Sequence, residues 1–165
     1  MSKRIAALGA AGLTLLLLCP TALVAGPATA DPVGATAASA PAKKPVPVMT
    51  KKTALGTILV SPKGRTVYVF MADSPGTSNC TGSCLTYWPP VAAPAKLPAS
   101  VPGVTGSLGT LVRDDGTRQL TINGWPLYTY AGDTTAGATS GQGSSGSGAK
   151  WWAVSPAGKK ITTIP

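Results

Sequence analysis

Apolar and polar positions alternate along this chain in short runs, and turn residues punctuate the runs every few positions. Ile58, Leu59 and Val60 lead into Ser61-Pro62-Lys63-Gly64, and Thr66 to Met71 is a run of β-branched and aromatic residues. That pair predicts a hairpin. Further on come Leu108 to Arg113, a turn at Asp114-Asp115-Gly116, Thr117 to Ile122, a turn at Asn123-Gly124, and Pro126 to Ala131. Asn and Gly tolerate the positive φ of a tight turn, so these runs predict three strands in a meander. Val154 then leads into Ser155-Pro156-Ala157-Gly158, an echo of the first turn, and Lys159 to Ile164 is expected to form a closing strand. No window carries the period of an amphipathic helix. The fold class is all-β.

The same stretch occurs twice. Tyr68-Val69-Phe70-Met71-Ala72-Asp73 and Tyr128-Thr129-Tyr130-Ala131-Gly132-Asp133 each set an aromatic two residues after a tyrosine and an aspartate five after it. Leu55-Gly56-Thr57 precedes the first copy and Leu108-Gly109-Thr110 the second; Trp88 follows the first and Trp151-Trp152 the second. The period predicts two tandem β-meander repeats, about 55–91 and about 108–161, burying their apolar faces against each other in one small domain over 53–165. Between Asp73 and Trp88 lies a cysteine pair. Between Asp133 and Trp151 lies Gly137 to Gly148, largely glycine and serine, which reads as a flexible loop unsuited to a precise site.

Ahead of the domain, residues 1–30 have the form of a secretory signal peptide: Lys3 and Arg4, an apolar run from about Ile5 to Leu18, and Ala28-Thr29-Ala30 as a small-x-small cleavage site. The expected mature protein begins at Asp31 and is secreted or associated with the cell wall. Lipid anchoring through Cys19 is the lesser alternative, because Leu18 and Pro20 make a poor context. Nothing in the mature chain is apolar over a membrane-spanning length. Residues 31–52 are alanine, proline, valine and paired lysines, expected to form a disordered spacer.

Composition narrows the chemistry. The chain has 14 Lys+Arg against 5 Asp+Glu, all of them aspartates, and no histidine. Neither a Ser-His-Asp nor a Cys-His nucleophile is available, so the expectation is a non-enzyme with no cofactor and no metal. Cleavage removes Lys3 and Arg4 and leaves twelve basic side chains. That balance favours anionic surfaces such as cell-wall polymers. Nucleic acid is not expected, since four of the twelve (Lys43, Lys44, Lys51 and Lys52) lie in the spacer and no reading motif accompanies them.

Within the motifs, residues two apart share a face of a strand, which sets Tyr68 and Phe70 against Val67, Val69 and Met71, and puts Tyr128 with Tyr130. Each tyrosine can bury its ring while its hydroxyl finds a polar partner, and each aspartate can accept backbone N–H groups of the following turn. The functional alternative joins Asp73 and Asp133 at a pseudo-symmetric seam as ligands for a hard cation or as an acid/base pair. Cys80 and Cys84 are expected to form a structural disulfide after export; a redox pair is the alternative, without the usual Cys-x-x-Cys spacing. Zinc would find two thiols and no imidazole. Asp114-Asp115 reads as turn chemistry. Trp88, Trp125, Trp151 and Trp152, with Tyr87, are candidates for the core or for stacking on a glycan.

The doubled Tyr-x-aromatic-x-x-Asp motif resembles a bacterial secreted-repeat family of unknown function, often lipoproteins with a Yx(FWY)xxD motif. The likeness extends to Leu-Gly-Thr, Gly64-Arg65-Thr66-Val67-Tyr68, the Cys80 to Cys84 loop, Trp88-Pro89-Pro90, Asp115-Gly116-Thr117, Asn123-Gly124-x-Pro126-Leu127-Tyr128 and Asp133. The resemblance implies export and a tandem repeat, and no established catalytic residue. The expected function is an exported, non-catalytic cell-envelope or extracellular module, binding or structural. The alternative is a redox or metal accessory using Cys80/Cys84 or the motif aspartates.

Overall fold

The computed structural model describes residues 46–165, which belong to one unit. The expected signal peptide, Cys19 and the spacer as far as residue 45 lie outside the described residues. Eight short strands and a one-turn helix follow in order: β1 (Met49–Thr53), β2 (Gly56–Val60), β3 (Val67–Phe70), α1 (Cys84–Tyr87), β4 (Leu108–Val112), β5 (Arg118–Ile122), β6 (Trp125–Pro126), β7 (Tyr128–Thr129) and β8 (Trp151–Ala153). All pairings are antiparallel, in sheets ordered β1-β2, β7-β3-β8 and β4-β5-β6.

Each copy is a hairpin followed by a motif strand. In the first copy β1 and β2 pair from Met49↔Val60 to Thr53↔Gly56; in the second β4 and β5 pair from Leu108↔Ile122 to Val112↔Arg118. The expected spacer therefore ends too late: Met49–Thr53 is a strand with the full hairpin register of β2, and Val48 before it is wholly buried. The lysines at 51 and 52 hid that strand, because an edge strand tolerates charge on its solvent side.

The hairpin expected of Ile58–Val60 with Thr66–Met71 forms only at its tip. The Ser61 to Arg65 turn closes and Val60 bridges Thr66, but beyond that point Val154 enters between the strands. Leu59 N–H donates to Val154 O (2.7 Å), and Val154 N–H donates to Val67 O (3.1 Å). The turns at Ser61, Arg113 and Ser155 share one hydrogen-bond pattern, and each places its glycine (Gly64, Gly116, Gly158) at φ between +75 and +78. Only glycine takes that conformation without a Cβ penalty. Asn123 and Gly124 also have positive φ, as the expected tight turn requires.

Two further differences concern strand ends. The run Pro126 to Ala131 breaks at Leu127, whose carbonyl accepts from Val91 N–H and from the buried Gln119 amide, so the chain passes from the β5 sheet to the β3 sheet there. Lys159 to Ile164 is not a strand. It makes one bridge, Val154↔Lys160, and is held instead by the Gln142 amide, which donates to Ile161 O and Thr163 O.

The core has two clusters on opposite faces of β3. Tyr68 and Phe70 lie with Trp88, Tyr128 and Trp151; Val67 and Val69 lie with Leu59, Leu120, Ile122 and Leu127, and Met71 packs beside them. The period-2 alternation of the motif strand thus sorts aromatic from aliphatic side chains.

Candidate functional site: the crossed seam

The two motif strands pair directly with each other. Tyr68 stands opposite Tyr128, so the copies run past one another in opposite directions about a local pseudo-two-fold. Just past each strand a tight turn forms, with Asp73 N–H donating to Phe70 O and Asp133 N–H to Tyr130 O. The turn swings each carboxylate back over the seam, where it meets the tyrosine of the other copy. Tyr68 O–H donates to Asp133 Oδ2 (2.7 Å), and Tyr128 O–H donates to Asp73 Oδ2 (2.7 Å). The second oxygen of each carboxylate fastens the following loop, Asp73 Oδ1 accepting from Asn79 N–H (2.7 Å) and Asp133 Oδ1 from Ser140 N–H (2.8 Å).

The aromatics obey the same exchange. Phe70 stacks on Trp151 with ring centroids 4.2 Å apart, and Tyr130 lies over Trp88 at 4.4 Å. Trp88 and Trp151 stack on each other at 3.8 Å with parallel planes. Each tryptophan segment also adds to the other copy's motif strand: β8 pairs with β3, while Pro90 bridges Tyr128 and Thr129 N–H donates to Pro89 O. Trp88 and Trp151 are thereby buried in the core with their faces on other aromatics, so of the two roles open to them in the sequence the structure gives them the core. Trp125 and Trp152 are half-buried against the aliphatic cluster.

Cys80 and Cys84 are joined in a disulfide, both buried, at the start of α1. Asp114 and Asp115 are exposed in their turn, where Asp115 Oδ1 accepts from the N–H and hydroxyl of Thr117. Those bonds hold the Asp115 carboxyl below the usual range. Among the described residues no group of three or more potential metal ligands converges, and the motif aspartates meet tyrosines rather than each other.

Four polar residues complete the seam without having been legible as part of it. Ser78 Oγ lies 2.6 Å from the Tyr128 hydroxyl, and Arg113 donates to Ser78 Oγ (2.8 Å), to Gln119 Oε1 (2.6 Å) and to Cys80 O (2.7 Å). Across the pseudo-axis the Arg65 guanidinium donates to Tyr130 O. The available signal was the buried parity of Gln119, which shares a face of β5 with Thr121.

The glycine-serine stretch is not a loose loop. Gly141 N–H donates to Tyr68 Oη, Gln142 Oε1 accepts from Ala153 N–H, and Trp151 Nε1–H donates to Gly146 O. Its small residues are required by closeness: a Cβ on Gly141 would sit 2.9 Å from Trp88 Cη2 and 3.0 Å from Tyr68 Cζ.

Burial pushes the Asp73 and Asp133 carboxyls above the usual range, partly offset by their hydrogen bonds and by the fields of Arg113 and Arg65 respectively. The folded state then holds these protons more tightly than the unfolded chain. Stability from them is fully present below the ordinary carboxylate range and is lost as pH rises through the raised folded values. The melting temperature is expected to rise as pH is lowered from neutral towards about 4; a fall over that range would show that the carboxylates are stabilised as anions. On the alkaline side burial pushes the Tyr128 phenol up to about 12 and also raises that of Tyr68. Unfolded phenols ionise near ~10, so a stabilisation on the order of 3 kcal/mol from Tyr128 alone is present below that pH and lost above it. The tyrosinate absorbance of these two buried phenols should appear together with unfolding.

A family model described as a secreted repeat of unknown function matches residues 49–92 and 109–155, more than half of the chain. The chain belongs to that secreted-repeat family. The two matched segments are the two hairpin-plus-motif units, and each ends within the tryptophan segment that crosses to the other. Neither a curated protein nor a solved structure matches this secreted-repeat protein. No helix among its described residues is long and apolar enough to cross a membrane.

Proposed function

We propose that this secreted-repeat protein is a non-catalytic module of the cell envelope or extracellular space that binds an anionic cell-wall polymer. One observation carries the reading: the fold buries two of the four described aspartates and leaves six lysines exposed. Asp73 and Asp133 are buried at the seam, leaving Asp114 and Asp115 as the exposed carboxylates among the described residues. Lys52, Lys63, Lys96, Lys150, Lys159 and Lys160 are all exposed, as is Arg118. A surface so dominated by one sign attracts polyanions over a Debye length. The motif tyrosines and aspartates, meanwhile, are engaged with each other, which suits a structural role for them and leaves binding to the surface.

The test is retention of the purified protein on isolated cell walls at low and high ionic strength. Retention should drop roughly tenfold when salt is raised well above physiological strength. Charge reversal at Lys159 and Lys160, which follow the Ser155 turn, should weaken it further. Failure to retain at low salt, or retention indifferent to salt, would remove the electrostatic basis of the reading.

A further inference from the structure

An open cavity of about 400 Å³ lies between α1 and the glycine-serine loop, lined by Ser83, Tyr87, Trp88, Tyr130, Ser144 and Ser147 together with Gly146. The volume falls within the ~300–1,000 Å³ of small-molecule sites. No lysine, arginine or aspartate is among its lining residues. Its walls are aromatic rings and hydroxyls, the mixture that suits a ligand with apolar C–H faces and polar edges.

The two stacked tryptophans differ at this cavity. Trp151 Nε1–H donates to Gly146 O (2.8 Å), whereas the Trp88 indole N–H makes no hydrogen bond among the described residues. Trp88 is 2% exposed, with its faces on Trp151 and Tyr130, so it presents an edge to the cavity. Gly146 stands beside that edge, where even a Cβ would reach only 3.5 Å from Nε1. An indole nitrogen is a donor only, so a ligand has to bring an acceptor to it. Tyr87, 60% exposed, stands at the rim with its ring free to meet an apolar sugar face.

We infer that this cavity is a subsite for one neutral N-acetylated hexosamine of a wall glycan, with Trp88 Nε1–H donating to the acetamido carbonyl. The serine hydroxyls meet the ring hydroxyls, and Tyr87 covers the C–H face. The inference rests on the wall-binding reading and adds to it a contact that salt does not screen.

The probe is chitotriose, titrated into the intact protein while the indole N–H resonances are followed by NMR, in parallel with wall retention. The Trp88 resonance, distinguished from that of Trp151 by faster exchange with solvent, should move along a saturable isotherm that is unchanged by salt. Tyr87→Ala should weaken the isotherm about tenfold while leaving the melting temperature unchanged, since that side chain lies outside the core. No movement of any indole resonance while the protein is still retained on walls would overturn the subsite and spare the wider reading. Loss of both would overturn the two together. An undiminished isotherm in Tyr87→Ala would also overturn the assignment.

Discussion

Trp151→Ala is expected to lose about 3–5 kcal/mol, the range for emptying a large aromatic from a core. Trp151 is wholly buried and touches three other rings: Phe70 at 4.2 Å, Trp88 at 3.8 Å and, edge-on, Tyr128 at 5.2 Å. It also belongs to the strand that enters beside β3, where Trp151 faces Phe70 in register. A domain of this size has only ~5–15 kcal/mol in all, so the variant should be largely unfolded at modest denaturant concentrations. Trp125→Ala, at a half-buried position, serves as the comparison and should lose clearly less. Equal midpoints for the two variants in urea would mean that the stacked tryptophans are not the centre of the fold.

The second large effect is an energetic coupling that follows the crossed geometry. Tyr68→Phe removes the donor to Asp133 Oδ2 and the acceptor of Gly141 N–H, and Asp133→Ala leaves the Tyr68 hydroxyl and Ser140 N–H without their partner. Each buried group left unpaired costs about 1–3 kcal/mol, so either variant alone should be strongly destabilised. Because both remove the same bond, their combination should fall short of the sum by about 1–2 kcal/mol. Tyr68→Phe with Asp73→Ala, the pair within one copy of the motif, should instead be additive within about 0.5 kcal/mol. Coupling within the copy and additivity across it would sink the crossed assignment.

Much of this was legible in the sequence, and the parts that were not share a cause. Strand faces followed from alternation, since Tyr68 and Phe70 parted from Val67 and Val69 as a period of two demands. Turns followed from Gly64, Asn123-Gly124 and Gly158, whose conformations are local. Partnership is not local. That Asp133 serves Tyr68 while Asp73 serves Tyr128 depends on two copies of the motif pairing antiparallel, and the motif reads the same whichever copy supplies the acid. The glycine-serine stretch misled for a related reason: its composition denotes freedom, but its hydrogen bonds come from Asp133, Tyr68 and Trp151, all outside it. Lys51 and Lys52 concealed β1 because charge says nothing about pairing when a strand has an open edge.

The insertion of Val154 between β2 and β3 sets the order in which the protein can be completed. Leu59, near the start of the domain, takes its backbone acceptor from a residue near the end. The first copy's aromatic Phe70 waits for Trp151, and its Tyr68 waits for Asp133. A chain emerging from its amino terminus therefore cannot close either half until most of its length is free. The tryptophan segment made last then locks what the strands made first had left unpaired.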